Sequence, residues 1–297
     1  MVYTLDNSQA KYASDQRGLK RRINLPLRLS IKHAIETARA PGRWLARTAA
    51  QAKHRSEFET FKNRQFKIDG CLSVTDKLQS ECMAAVATWQ PRCDELLGRL
   101  GAETPRTPWK VEELLDDESI RALIFNRFVV GTLAAYLGEA PIFSGVTLWI
   151  GQKEKKFAGS PFYHTDSCGW GNAKFYVYLS DVGKGFGEFT YVPRYQSEAF
   201  IRNTGYLGDA IPDTDVNSYF KRDPSIGLIG KAGSGFLIDT TKCLHFGSRC
   251  TEGNRYSLII SYQRWSAPNS EVGRGPGYLK KIGYDPRDAM ARLLIDP

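Results

Sequence analysis

Histidine is scarce in this 297-residue chain, with four copies, and methionine scarcer still, with three. None of the six cysteines (Cys71, Cys82, Cys93, Cys168, Cys243, Cys250) forms a Cys-x-x-Cys pair. That spacing, in a chain this long, excludes a disulfide framework and the usual zinc ribbons. Cys71, Cys82 and Cys93 recur every eleven residues, which on one helix would separate neighbours by about 16 Å, too far to share an ion. They read as small buried hydrophobes. No apolar run reaches the roughly 18 residues of a membrane span, and no short apolar core follows a basic start as in a secretory signal. The expected location is cytoplasmic. Internal repeats and low-complexity tracts are also missing.

What remains is ordinary for a globular protein: 42% apolar, 25% charged and 12% aromatic residues. The net charge of +9 is unevenly placed. Residues 1–64 hold fourteen Lys or Arg against five Asp or Glu, whereas the other 233 residues hold 27 of each sign. The basicity therefore belongs to an N-terminal segment of helical character, divided at Pro41-Gly42, which could place Leu, Ile and Trp opposite its arginines. Such a segment either docks on its own protein or meets an anionic membrane surface or polyanion. We expect residues 1–64 to form a basic helical extension and 65–297 to form one domain.

The domain opens with "FKIDGCLSVTD", read as a strand ahead of a helix over residues 77–100 that Thr75 or Asp76 would cap. A second helix is expected over Val111 to Leu137, ended by Gly138. From Ile142 the pattern turns to strands: "FSGVTLWIG", "SPFYHTD", "KFYVYLSDV", "GEFTYVP", "GSGFLIDTT" and "YSLIISYQRW". In the third, Phe175, Val177 and Leu179 alternate with Lys174, Tyr176 and Tyr178. Residues 196–226 interrupt the pattern as an inserted loop or lid. Helices followed by short strands predict a mainly β fold with flanking helices, a double-stranded β-helix of jelly-roll or cupin-like type.

Beyond the basic segment, the only histidines are His164 and His245. In a strand, His164 and Asp166 would leave from one face about 7 Å apart at the backbone. Strands of a jelly roll distant in sequence line one cavity, so His245 can complete a set of two imidazoles and a carboxylate, the facial triad that leaves positions open on Fe(II). Two buried structural histidines would give the same residues. Arg255, ten residues after His245, offers a planar guanidinium for a carboxylate, and Ser257 faces the same way. Together they suit the distal end of a dicarboxylic keto acid whose other end chelates iron. Lys174 and Tyr176 could line the same cavity.

In this order, "FKIDGCLSV", "FYHTD", "KFYVYLSDV", "GEFTYVP", "GSGFLIDTTKCLHFG" and "NRYSLIISY" resemble the phytanoyl-CoA dioxygenase family of Fe(II)/2-oxoglutarate-dependent oxygenases, over roughly Phe66 to Trp265. The resemblance implies iron held by His164, Asp166 and His245, and 2-oxoglutarate on Arg255, with Ser257, Tyr176 and Lys174 alongside. It further implies hydroxylation of an unactivated C–H of a small-molecule, acyl or sugar-type substrate, using O2 and releasing succinate and CO2. Presence of Asp166 separates the chain from related halogenases, which lack that carboxylate. The chain departs from the family at Gly187-Glu188 and at Pro193-Arg194-Tyr195-Gln196, where the family often has Gly-Pro and Pro-Gly-Ser-His; both leave the substrate open. Tyr163, Trp170, Tyr195, Tyr206 and Tyr219 would suit either a substrate or lid packing. A cupin-like isomerase or binding protein accounts for the strands and histidines but not for Arg255 and Ser257.

Overall fold

The computed structural model describes residues 34, 38, 41–99, 107–153, 162–166, 171–206, 210–247, 249–265 and 274–295. Cys168 and Trp170 lie outside them. The chain begins with helices α1 (Pro41–Lys53), α2 (Arg55–Thr60) and α3 (Arg64–Asp69), then strand β1 (Cys71–Ser73) and the long helix α4 (Thr75–Arg99). Helices α5 (Val111–Leu115), α6 (Glu118–Ile124) and α7 (Arg127–Leu137) precede β2 (Pro141–Gly151). After β3 (Asn172–Tyr178) and β4 (Phe189–Tyr191) come α8 (Arg194–Thr204) and α9 (Asp213–Phe220). β5 (Ile226–Leu228), β6 (Gly235–Asp239), β7 (His245–Phe246), β8 (Arg255–Arg264), α10 (Arg274–Lys281) and α11 (Ala289–Arg292) complete the described elements.

Every strand pairing is antiparallel. One sheet has the order β1-β6-β3-β8-β2 and the other β5-β4-β7. The chain passes from the larger sheet to the smaller after β3, returns at β6, crosses again for β7 and returns at β8, as in a jelly roll. The alternation along β3 sorts its side chains as the sequence predicts. Phe175, Val177 and Leu179 join the core between the large sheet and the helices. Tyr176 and Tyr178 face inward, where Phe236, Ile238, Phe189 and Tyr191 fill the space between the sheets. The fold is thus a pair of antiparallel sheets with flanking helices, which cover the outer face of the large sheet.

Four expectations change. "FKID" is helical, because Asn63 accepts the Phe66 N–H as an N-cap and Gly70 ends α3 in the left-handed conformation at φ 71°. Only Cys71–Ser73 is strand, and Thr75 spends its hydroxyl on Gly235 across the sheet rather than on a cap. The single helix expected over Val111 to Leu137 is three. Asp117 caps α6 on the Ile120 N–H and Asn126 caps α7 on Phe128 and Val129, so each polar residue starts a new helix. Although an 18-residue window within Glu118–Leu137 reaches a mean hydropathy of 1.4, this broken stretch buries Ile120, Leu123, Ile124, Val129, Val130 and Leu133 in the core. In the described part of "SPFYHTD" there is no continuous strand, only isolated bridges from Tyr163 to Ile211 and from His164 to His245. Finally, the insertion is no loop: it carries α8 and α9, whose Phe200 and Val216 pack with Tyr163, Val192, Leu244 and Phe246.

Five cysteines are free and buried. Burial pushes the Cys71, Cys82 and Cys93 thiols up to about 12, so they sit in the core as neutral apolar groups.

Candidate metal centre

Two backbone hydrogen bonds place the histidines side by side. The His164 N–H donates to the His245 carbonyl at 3.0 Å, and the His245 N–H donates back at 2.9 Å. Their rings lie 4.3 Å apart. Each Nδ1 faces a main-chain oxygen, that of Phe162 at 2.9 Å for His164 and that of Cys243 at 3.0 Å for His245. A carbonyl only accepts, so each Nδ1 carries the proton and each Nε2 keeps its lone pair. Both Nε2 atoms point at Asp166: His164 Nε2 is 3.9 Å and His245 Nε2 3.8 Å from Oδ1.

The chain leaves the bridge after His164, and the Asp166 N–H donates to the Thr240 carbonyl at 2.9 Å. This contact, rather than strand geometry, turns the carboxylate back toward the imidazoles. The ligand atoms of His164, Asp166 and His245 all lie within 4.8 Å of one another, the one such grouping of metal-ligating side chains among the described residues. Two imidazoles whose Nδ1 atoms are engaged by carbonyls, leaving Nε2 toward Asp166, and one carboxylate oxygen form a donor set that fits a borderline divalent ion such as Fe(II).

The charge states agree with that fit. Burial and the neighbouring His164 lower the His245 pKa to about 3, so this imidazole is neutral over the physiological range. Burial works against ionising Asp166, but Lys174, His245 and the Thr240 hydroxyl outweigh it and hold the carboxyl well below its usual range. Lys174 Nζ lies 2.6 Å from Asp166 Oδ2. The sequence suggested Lys174 as a co-substrate contact; its ammonium sits on the carboxylate of the triad.

Arg255, Ser257 and Tyr176 share the inner face with the triad. Arg255 is 3% exposed and donates through Nη1 to the Gly187 carbonyl. A Cβ added at Gly247, two residues past His245, would lie 3.6 Å from Arg255 Nη1, so the strand end and the guanidinium are close neighbours. Ser257 is wholly buried, and its Oγ has no hydrogen-bond partner among the described residues. Burial raises the Tyr176 pKa, and the charges acting on its phenol are Lys174, Asp166 and Arg255. Its phenol is therefore within electrostatic reach of both the triad and the arginine. Tyr176 stacks on Phe236 at 5.0 Å, and Phe189, 4.8 Å from Tyr176, stacks on His245 at 5.3 Å.

Three supports were not foreseen. Tyr206, from the insertion, accepts the Thr165 N–H at 3.1 Å, between the two ligands of the His-Thr-Asp turn. Arg249 and Asp213 form a bidentate ion pair at 2.7 and 2.8 Å, with the guanidinium 3.4 Å from the centroid of the Phe246 ring, fastening α9 beside β7. Asp239 Oδ1 accepts from Thr241 N, Thr241 Oγ1 and Lys242 N, and its Oδ2 accepts from Tyr136 Oη at 2.8 Å. It shapes the turn between β6 and β7 that leads to His245. Only this last has a sequence signal, an aspartate closing a buried strand before "TTK". Of the aromatics suggested for a substrate, Tyr163, Tyr206 and Tyr219 pack in the cluster around Phe200 and Val216, and Tyr195 is exposed.

No protein-family model matches this chain, and no curated protein is similar to it at a significant level. Solved structures are similar at low identity. The non-heme α-ketoglutarate-dependent epimerase SnoN from nogalamycin biosynthesis is 19% identical, with a TM-score of 0.45 over 67% of this chain and 80% of that one. The nickel complex of the non-heme monooxygenase ThoJ is 18% identical, with a TM-score of 0.44 over 67% and 76%. HygX from Streptomyces hygroscopicus, with nickel and 2-oxoglutarate bound, is 14% identical, with a TM-score of 0.46 over 69% and 87%.

Proposed function

We propose that this chain is an Fe(II)- and 2-oxoglutarate-dependent oxygenase of the phytanoyl-CoA dioxygenase type, acting on a small molecule by hydroxylation. The observation that carries the reading is the pairing of two sets of groups on one inner face. One is a His164–Asp166–His245 cluster with both Nε2 lone pairs directed at Asp166. The other is a buried arginine beside a buried hydroxyl that lacks a partner. A dicarboxylic keto acid fits both at once: its keto-acid end at the metal, its far carboxylate on Arg255 and Ser257.

When bound, Fe(II) with 2-oxoglutarate and O2 supplies the oxidising chemistry, with succinate and CO2 as the fate of the co-substrate. The residues of this chain hold and orient. His164, Asp166 and His245 would bind the ion through Nε2, Oδ1 and Nε2. Arg255 and Ser257 would fix the depth and angle of the co-substrate. The aromatic wall of Tyr176, Phe189 and Phe236 keeps water from the space between the sheets. The α8–α9 insertion, tied to the ligand turn through Tyr206, covers the other side and is where substrate selection would lie.

The test is anaerobic addition of Fe(II) and 2-oxoglutarate. The expected result is a weak visible charge-transfer band that disappears in the His164→Ala and His245→Ala variants, with succinate formed once air and a substrate are supplied. No band at saturating co-substrate, in protein shown to hold one metal per chain, would sink the reading.

A further inference from the structure

We propose that Lys174 is a positioning residue that keeps Asp166 monodentate and so preserves the open positions on the metal. This rests on the oxygenase reading above. The carboxylate of Asp166 presents its two oxygens to different partners. Oδ1 faces both imidazoles, 3.8 and 3.9 Å from their Nε2 atoms. Oδ2 is the oxygen nearest Lys174, 2.6 Å from its Nζ, a close ion pair rather than a well-aligned hydrogen bond. Both side chains are largely shielded, at 20% and 18% exposure, so the ion pair is only weakly screened by solvent.

Each partner reaches the carboxylate along a fixed path. Lys174 lies in the middle of β3, paired to Ile238 on one side and Ser261 on the other, so its Cα cannot shift without breaking two ladders. Asp166 is tied by its N–H to the Thr240 carbonyl. The ammonium therefore sits on the far oxygen as a consequence of the fold.

A free carboxylate can bind a divalent ion through both oxygens. Two imidazoles and a bidentate carboxylate would fill about four of six positions on Fe(II), whereas a monodentate carboxylate leaves about three open. A chelating keto acid takes two of these and O2 needs one, so the difference decides whether the reaction has room. Lys174 holds Oδ2 out of the coordination sphere, and that places its action upstream of co-substrate binding.

The readout that isolates this uses metal alone. Mn(II)-loaded protein relaxes water protons in proportion to the exchangeable waters on the ion. Lys174→Met is expected to bind one Mn(II) per chain, as wild type does, but with relaxivity lower by about a third, since open positions fall from about three to about two. With Fe(II), the same variant should need at least about tenfold more 2-oxoglutarate to develop its charge-transfer band, a loss of about 1.4 kcal/mol. Lys174→Arg, which can still hold Oδ2, should restore both. If Lys174→Met does not fold, Lys174→Ala gives the same comparison. Unchanged relaxivity in the methionine or alanine variant would overturn the proposal even if 2-oxoglutarate weakened, because Lys174 would then be touching the co-substrate. Loss of the metal itself would overturn it too. If the wild-type protein takes Mn(II) but never binds 2-oxoglutarate, the oxygenase reading fails, while the relaxivity comparison still decides what Lys174 does.

Discussion

The Ser257 hydroxyl is buried without a hydrogen-bond partner among the described residues, and leaving such a group unsatisfied costs about 1–3 kcal/mol. Ser257→Ala should therefore leave the melting temperature of the ligand-free protein unchanged or higher, yet weaken 2-oxoglutarate by roughly threefold to tenfold, a hydrogen bond of about 0.5–1.5 kcal/mol. Lower stability together with unchanged co-substrate affinity would make the hydroxyl structural. Arg255→Ala should weaken 2-oxoglutarate at least about tenfold, since charge-assisted bonds contribute roughly 1.5–3 kcal/mol each. Equilibrium titration of both variants separates an anion socket from ordinary packing.

His245 carries a pH dependence whose sign is fixed by its surroundings. Its pKa falls from 6.5 to about 3 on folding. Above pH 6.5 it is neutral in both folded and unfolded chains and contributes no pH slope. Between pH 6.5 and about 3 the unfolded chain takes up the proton and the folded chain does not, so stability is lost as pH falls through that window. Chemical denaturation of metal-free protein should show this loss, at a slope of up to about 1.4 kcal/mol per pH unit. The His245→Gln variant should show a shallower slope over the same window, and an unchanged one would place the titration elsewhere. The triad itself was legible in the sequence because histidines are so few that two beyond the basic segment have little else to pair with. The contact of Lys174 with Asp166 was not, since alternation along β3 gives its face but not which oxygen its ammonium meets.

At the scale of elements, the long strands of the large sheet were readable, whereas "FKID", "SPFYHTD" and the short β5 were not. Two-residue alternation marked β3 and β8 because each has one face on the helix core and the other between the sheets. The helices from Val111 to Leu137 read as one because their apolar spacing continues across Asp117 and Asn126, and capping is a side-chain event that periodicity does not register. The insertion read as a loop because its polar and turn residues hide two short helices held by aromatic contacts, such as Phe200 with Tyr219 at 5.0 Å. This insertion meets the His-Thr-Asp turn through the Tyr206 hydroxyl and the segment before it through the Tyr163–Ile211 bridge. Tyr206→Phe keeps the ring against Phe200 but removes the acceptor for the Thr165 N–H. Metal affinity should fall several-fold while far-ultraviolet circular dichroism stays the same. Unaltered metal affinity would mean that the turn is set by its bridges to Ile211 and His245 alone.

For the whole molecule, the remaining question is where the folded body starts. The charge surplus lies within residues 1–64, but not all of that charge is available to a partner. Arg47, on α1, is 4% exposed. Its Nη1 donates to the Leu293 carbonyl at 2.9 Å, and its Nη2 donates to the carbonyls of Ala140 and Pro141 at 2.9 and 3.2 Å. One guanidinium thus joins the first described helix, the start of β2 and the turn after α11. Removing the arginine would take a charged donor from each of these three carbonyls. Arg47→Met should lower the melting temperature by at least about 5 °C, from losing charged hydrogen bonds of roughly 1.5–3 kcal/mol each. A chain starting at residue 54 should do at least as badly, whereas one starting at residue 41 should melt with the full-length protein. A proposed anionic surface would then draw on the eight Lys and Arg, set against three Asp and Glu, of residues 1–40. Sedimentation with anionic vesicles should be lost on deleting those residues, and should weaken between 0.01 and 0.15 M salt as the Debye length falls from about 30 to about 8 Å. If the chain starting at residue 54 melts like the full-length protein, α1 is an appendage, and its charges belong with the partner surface as well.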